Sequence, residues 1–140
     1  CVISGDQVLL QQVIVIFVMN AMDAMAEMPP TRRHVTITSA VRAADVQVSV
    51  SDTGPGVPAD IVSTLFTPFF TTKSHGLGIG LTIARTIVEA HGGTIDARNN
   101  CDGGATFVVT LRTAESGASD DAAAVLARDR ARSLTPPMEG

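Results

Sequence analysis

His34 to Gly56 reads HVTITSAVRAADVQVSVSDTGPG. Val35, Ile37 and Val41 sit on an alternating pattern in the first half, and Val46, Val48 and Val50 do so in the second. This period of two predicts strands over 34–41 and 45–52, joined through Arg42–Ala44 into an antiparallel hairpin. Asp52 then ends the second strand, and Thr53-Gly54-Pro55-Gly56 turns the chain away. A carboxylate fixed at a strand end can form the floor of a pocket, and glycines beside it let a flat ligand approach the backbone. A carboxylate only accepts hydrogen bonds, which suits an exocyclic amine such as that of adenine. The plainer alternative is a turn made of ordinary turn residues.

Outward from the hairpin, the pattern changes to helical. Residues 6–28, DQVLLQQVIVIFVMNAMDAMAEM, predict one long helix with Asp6 as its N-cap and no breaker before Pro29 and Pro30. Its middle is apolar nearly all round, so burial is expected. Downstream, PADIVSTLF (58–66) predicts a short helix opened by Pro58, and TPFFTTKSHG is irregular. In LGIGLTIARTIVEAHGG, Leu81, Ile83, Ala84, Ile87 and Val88 share one helical face, and Gly92-Gly93 ends it. TIDAR (94–98) and ATFVVTLR (105–112) read as strands around the turn NNCDGG. The order predicts an α+β fold, a two-layer α/β sandwich with a mixed sheet covered on one face by about three helices. After Thr113 come a polar linker, an alanine-rich stretch of helical character (about 120–133) and a Pro-Pro end, with little apolar surface to dock. Residues 1–113 are therefore read as the domain and 114–140 as a tail or linker.

Composition narrows the function. The 140 residues carry a formal net charge of −4 and are 45% hydrophobic, enough for a core. An acidic domain has no general attraction for nucleic acid, so any phosphate must be held by local groups. Cys1 and Cys101 form no metal-ligand spacing, which argues against structural zinc; two thiols could form one disulfide, and the plainer reading is free thiols in a reducing compartment. The longest apolar run, Val13 to Met19, is far short of the ~20 residues of a spanning helix. No signal peptide is visible, and the abrupt start has the look of an excised piece.

Several residues could carry chemistry. Asn20 and Asp23 lie three apart near the end of the first helix, about 60° from one another. They are either a helix-end hydrogen-bond network or an amide oxygen offered to a hard cation such as Mg²⁺. Gly76, Gly78 and Gly80 open a helix and could bring backbone N–H groups to a phosphate. No strand precedes them and no Lys-Ser or Lys-Thr follows, so neither a Rossmann fingerprint nor a Walker loop is present. Lys73 could face a phosphate or simply be solvated. Phe66, Phe69 and Phe70 cluster in the irregular stretch, as a plug beneath a loop or the hinge of a lid with Thr71–His75 at its tip.

Taken in order, NAMDAM, DTGPGVP, LFTPFFTTK and GLGIGL resemble the N box, first glycine box, F box and second glycine box of the sensor histidine kinase ATP-binding domain. The resemblance covers about residues 5–112. The short stretch TTKSHGLGIGL is similar to that of the oxygen-, nitrogen- and dicarboxylate-sensing kinases. It implies the Bergerat fold shared with gyrase B, mismatch-repair ATPases and heat-shock chaperones, with that fold's leading strand missing from this chain. ATP and Mg²⁺ are the implied cofactors. Asn20 would bind Mg²⁺, Asp52 would take the adenine amine, and Gly54 and Gly56 would shape the base pocket. Gly76, Leu77, Gly78 and Gly80 would face the phosphates, with Asp23, Phe69 and Lys73 also in the ATP site. Thr106 would sit beside Asp52 and hold the base through water.

The implied activity is delivery of the γ-phosphoryl of Mg·ATP to a histidine on a separate dimerisation domain, with a response regulator as onward partner. The isolated domain would be a cytoplasmic monomer and its parent a homodimer. There are two departures. The family usually has Asn or Glu four residues before the Mg²⁺ asparagine, where this chain has Ile16, and none of His34, His75 and His91 is followed by the acid of an acceptor motif. Two alternatives share the fold: a degenerate, non-catalytic nucleotide-binding module, and an anti-sigma-type serine kinase.

Overall fold

A computed structural model describes residues 2–69 and 79–114. In chain order the elements are α1 (Gln7–Ala24), β1 (Val35–Arg42), β2 (Asp45–Asp52), α2 (Gly80–Ala90), β3 (Thr94–Asn99) and β4 (Ala105–Arg112). The strands form one sheet in the order β1-β2-β4-β3, and every pairing is antiparallel. The two-layer α+β sandwich is as expected. Two of its details differ: among the described residues the sheet is antiparallel rather than mixed, and two α-helices cover it rather than about three.

The helix expected over 58–66 is instead a single 3₁₀ turn, Val62–Thr64. Its bonds run from each N–H to the carbonyl three residues back, as in Ile61 to Pro58 and Thr64 to Ile61. β-Branched Ile61, Val62 and Thr64 disfavour an α-helix, and the Thr64 hydroxyl takes the Ile61 carbonyl at 2.9 Å. α1 also stops short, at Ala24 rather than Met28. Pro29 disfavours α geometry in the residue before it, so the chain tightens into three-residue turns such as Met28 N–H to Met25 carbonyl.

α1 begins where expected. The Asp6 carboxylate accepts from the N–H groups of Val8 and Leu9 at 2.9 and 3.1 Å. α2 ends in a Schellman arrangement: Gly93 N–H reaches the Val88 carbonyl, Gly92 N–H reaches Glu89, and Gly92 takes φ +69°. His91 then locks the two helices together. Its Nε2 accepts from Asp6 N–H at 3.0 Å, and its Nδ1 lies 2.6 Å from the Ile87 carbonyl.

The core lies between helices and sheet. Val13 and Phe17 of α1, with Ala84, Ile87 and Val88 of α2, pack on Val50, Phe107, Val109 and Leu111. Phe17 and Phe107 stack at 5.2 Å, and Phe66 meets Phe107 edge-on at 6.5 Å. By length and composition α1 could cross a membrane. The packing of Val13, Phe17 and Ala21 makes it a core helix here. Burial all round, however, does not hold: Val8, Val15, Met19 and Met22 are 54–72% exposed.

Candidate functional site

The ends of β2, β3 and β4 meet at one edge of the sheet. Ser51 pairs with Thr106, and Asn99 pairs with Ala105. Strand alternation sends Asp52 to the helix-covered face, where only 4% of it remains exposed. A buried carboxylate needs donors. Gly54 N–H supplies one at 2.8 Å and Ala105 N–H another at 3.2 Å, both to Oδ1. The carboxylate is thus fixed by backbone through Oδ1 alone among the bonds of the described residues.

The surrounding backbone comes close enough to exclude side chains. Gly104 has φ +89°, and a Cβ there would fall 2.0 Å from the Asp52 carbonyl oxygen. Gly56 has φ +79°, with the Asn99 amide oxygen 2.9 Å from where its Cβ would be. Asn99 staples this glycine turn to β3, donating to the Val57 carbonyl at 2.6 Å and accepting from Val57 N–H at 2.8 Å. Thr53 ties the turn to the chain entering β1: its hydroxyl donates to the Arg32 carbonyl and accepts from His34 N–H. Gly104, Asn99 and the Ala105 N–H were not singled out from the sequence. The doubled glycines and asparagines flanking Cys101-Asp102 are the signal that could have found them.

α1 connects this pocket to α2. Met25 and Ala24 abut Gly54, while Ile16 lies against Gly80, the first residue of α2, with 3.6 Å between its Cγ2 and the Gly80 Cβ position. Asn20 is one turn from each contact, half-buried, with its amide nitrogen shielded from solvent. Asp23 is exposed on the same side of the helix. Among the described residues no side chain caps α2 at Ile79. α1 thus touches the Asp52–Gly56 turn through Ala24 and Met25 and the start of α2 through Ile16, with Asn20 between the two contacts.

Two expected site residues are placed differently. Thr106 is level with Ser51, and its hydroxyl is engaged with Ser51 Oγ at 3.0 Å and Asn100 Oδ1 at 2.5 Å. It points to the face opposite Asp52, and Ala105 is the residue of β4 on the Asp52 face. Phe69, at the end of the first described stretch, is 79% exposed at φ +62°. Lys73, Gly76, Leu77 and Gly78 lie outside the described residues, as do Phe70 and the expected lid tip. Cys101 is an exposed free thiol, and Cys1 is outside the described residues.

Comparison with known families finds a match over residues 5–115 to the histidine kinase-, DNA gyrase B- and HSP90-like ATPases. The chain belongs to this family. Sensor protein FixL of Bradyrhizobium diazoefficiens is 46% identical over 114 residues, covering 81% of this chain and 22% of FixL. The C4-dicarboxylate transport sensor protein DctS of Rhodobacter capsulatus is 40% identical over 116 residues, covering 83% of this chain and 18% of DctS. Among solved structures, the catalytic domain of histidine kinase ThkA superposes with a TM-score of 0.69 at 35% identity, covering 79% of this chain and 70% of that one. This is an ATP-binding catalytic domain of the sensor histidine kinase type. It spans about a fifth of the length of the sensor proteins it matches.

Proposed function

We propose that this chain binds Mg·ATP in the cleft between Asp52 and Gly80 and delivers the γ-phosphoryl to a histidine on a separate dimerisation domain. The observation that carries the reading is the buried Asp52 carboxylate, held through one oxygen by two backbone N–H groups. Such a group costs free energy unless a ligand uses it, and its free oxygen accepts from the exocyclic amine of adenine. Gly54, Gly56 and Gly104 keep the pocket thin, as a planar base requires. The phosphates extend along α1 toward the uncapped start of α2, where N–H groups and the helix dipole favour anions.

The Asn20 carboxamide, between these two ends, fits a hard cation that takes oxygen ligands beside phosphate. Mg²⁺ there would neutralise charge on the phosphates. Asp23 would act through water at the same side of α1, and Lys73, Gly76, Leu77 and Gly78 would close around the phosphates. Thr106 would serve the pocket indirectly, by bracing Ser51 and Asn100 behind Asp52.

In the transfer, an acceptor imidazole nitrogen forms a bond to the γ-phosphorus while the bond to the β–γ bridging oxygen breaks, and ADP leaves with that oxygen. Positioning and electrostatics supply most of the catalysis. Ile16 has no polar group to offer, so the imidazole proton leaves on the acceptor side. On this reading the chain works in the cytoplasm, with a response regulator downstream. The test is γ-labelled ATP with this chain alone and with the histidine-bearing fragment of its parent. Acid-labile label on the fragment is expected, and none on this chain alone. Label on this chain alone, or none on the fragment despite ATP binding, would overturn the proposal.

A further inference from the structure

The link between β3 and β4 opens with two asparagines, Asn99 and Asn100, that work on opposite faces of the sheet. Asn99 lies two residues beyond the core residue Ala97, which puts it on the helix-covered face. There it pairs with Ala105, whose N–H holds Asp52. Asn100 serves the other face. Its Nδ2 donates to Ser51 Oγ at 3.0 Å and to the Asp52 carbonyl at 3.1 Å, and its Oδ1 accepts from the buried Thr106 hydroxyl. Those bonds satisfy groups withdrawn from water, so they belong to the fold. Asn99 differs: it is exposed, yet both ends of its amide are committed to one residue, Val57, 42 positions away in the chain.

The amide does for Val57 what a neighbouring strand would do. Oδ1 accepts from Val57 N–H at 2.8 Å and Nδ2 donates to the Val57 carbonyl at 2.6 Å, so one side chain satisfies both backbone groups of a residue outside the strands. Gly56 completes the fit. It sits at φ +79°, and a Cβ there would fall 2.9 Å from Asn99 Oδ1, so any side chain would push the amide away. The segment Gly54–Val57 is therefore held at both ends, by Asp52 Oδ1 on Gly54 N–H and by Asn99 on Val57. At an exposed position water can replace these partners, so the pair adds little to the stability of the fold. What it does is set the turn before any ligand arrives, which takes the cost of ordering that turn out of binding.

We propose that Asn99 is a positioning residue for ATP: through Val57 it holds the Gly54–Val57 turn in the conformation that receives the base, without touching the nucleotide itself. The inference rests on the reading of Asp52 as the adenine carboxylate. With the amide removed and the turn in that conformation about a tenth of the time, apparent affinity falls about tenfold. ATP and ADP lose by the same factor, because the staple acts at the base end, and the Mg²⁺-dependent part of the affinity is unchanged. In transfer to the histidine-bearing fragment, KM for ATP rises by that factor and kcat stays.

The test uses the full chain as wild type, Asn99→Ala and Asn99→Asp. The aspartate keeps the shape of the side chain but sets a carboxylate oxygen against the Val57 carbonyl, where Asn99 now donates. Calorimetric titration should show both variants binding ATP and ADP about tenfold more weakly, with melting temperatures in the absence of nucleotide within ~2 °C of wild type. Amide exchange over Gly54–Val57 should quicken in the variants without nucleotide and return to wild-type rates at saturating ATP. Gly56→Ala should cost several-fold less affinity in the Asn99→Ala background than in wild type, because the staple it disturbs is already gone. Variants that bind as wild type does would overturn this inference alone. So would a melting temperature that falls far enough to account for the lost binding, or strict additivity of Gly56→Ala and Asn99→Ala. A wild-type chain that binds no ATP would overturn the adenine reading and this inference with it.

Discussion

Asp52→Asn separates the base-reading role of this carboxylate from its role in the fold. Both backbone donors, Gly54 N–H and Ala105 N–H, converge on Oδ1. An asparagine can keep its carbonyl oxygen at that position and retain both bonds. Its amide nitrogen then replaces Oδ2, so an acceptor becomes a donor facing the adenine amine, which also donates. A hydrogen bond to a charged group contributes about 1.5–3 kcal/mol. Its loss should weaken ATP binding roughly 10- to 100-fold, and the preference for ATP over GTP should shrink with it. Thermal unfolding without nucleotide should move little, because the two backbone donors stay paired. Calorimetric titration of wild type and variant with ATP and GTP, beside melting curves, reads both effects. Unchanged affinity and selectivity would refute the adenine assignment. A large fall in melting temperature with intact ATP affinity would make Asp52 a structural carboxylate.

Three further outcomes are expected. Asn20→Ala should leave the domain folded and remove the Mg²⁺-dependent part of ATP affinity; a thermal shift by Mg·ATP equal to wild type would make Asn20 part of a helix-end network instead. Gly104→Ala must move the backbone off Asp52, since its Cβ would fall 2.0 Å from the Asp52 carbonyl oxygen at φ +89°; a loss of at least ~2 kcal/mol, lowering the melting temperature by about 10 °C, is expected, and an unchanged melting temperature would contradict it. Ala43 holds φ +51° in the hairpin turn, so Ala43→Gly should stabilise the domain by ~0.5–1 kcal/mol in chemical denaturation, and destabilisation would show that the turn relaxes another way.

Most of the fold was legible because its elements have clean periods. The alternating valines of 45–52 place β2 at the bounds read from sequence, and Asp52 stays on its last residue. The losses came where a local choice depends on tertiary context. Residues 58–66 have a proline start and apolar spacing, but β-branched residues and a threonine hydroxyl hold them as a 3₁₀ turn. Thr106 was expected beside Asp52, but strand identity does not fix register between distant strands. Only the pairing of Ser51 with Thr106 shows that Ala105, one residue earlier, shares the Asp52 side. The back of α1 was illegible for another reason: a helix apolar all round carries no mark of which face the sheet will take, and Val15 and Phe17 look alike until Phe107 is placed against one of them.

The account rests most directly on where ATP sits. The decisive measurement is a titration of the full chain with a non-hydrolysable ATP analogue and Mg²⁺, followed by backbone amide chemical shifts. Saturable shifts are predicted at Asp52–Gly56, Gly104–Ala105, Asn20–Asp23 and the first turn of α2 from Gly80, with β1 and the β1–β2 turn unmoved. Absence of shifts at Asp52–Gly56 and Gly104–Ala105, or a saturable set centred on another surface, would contradict it.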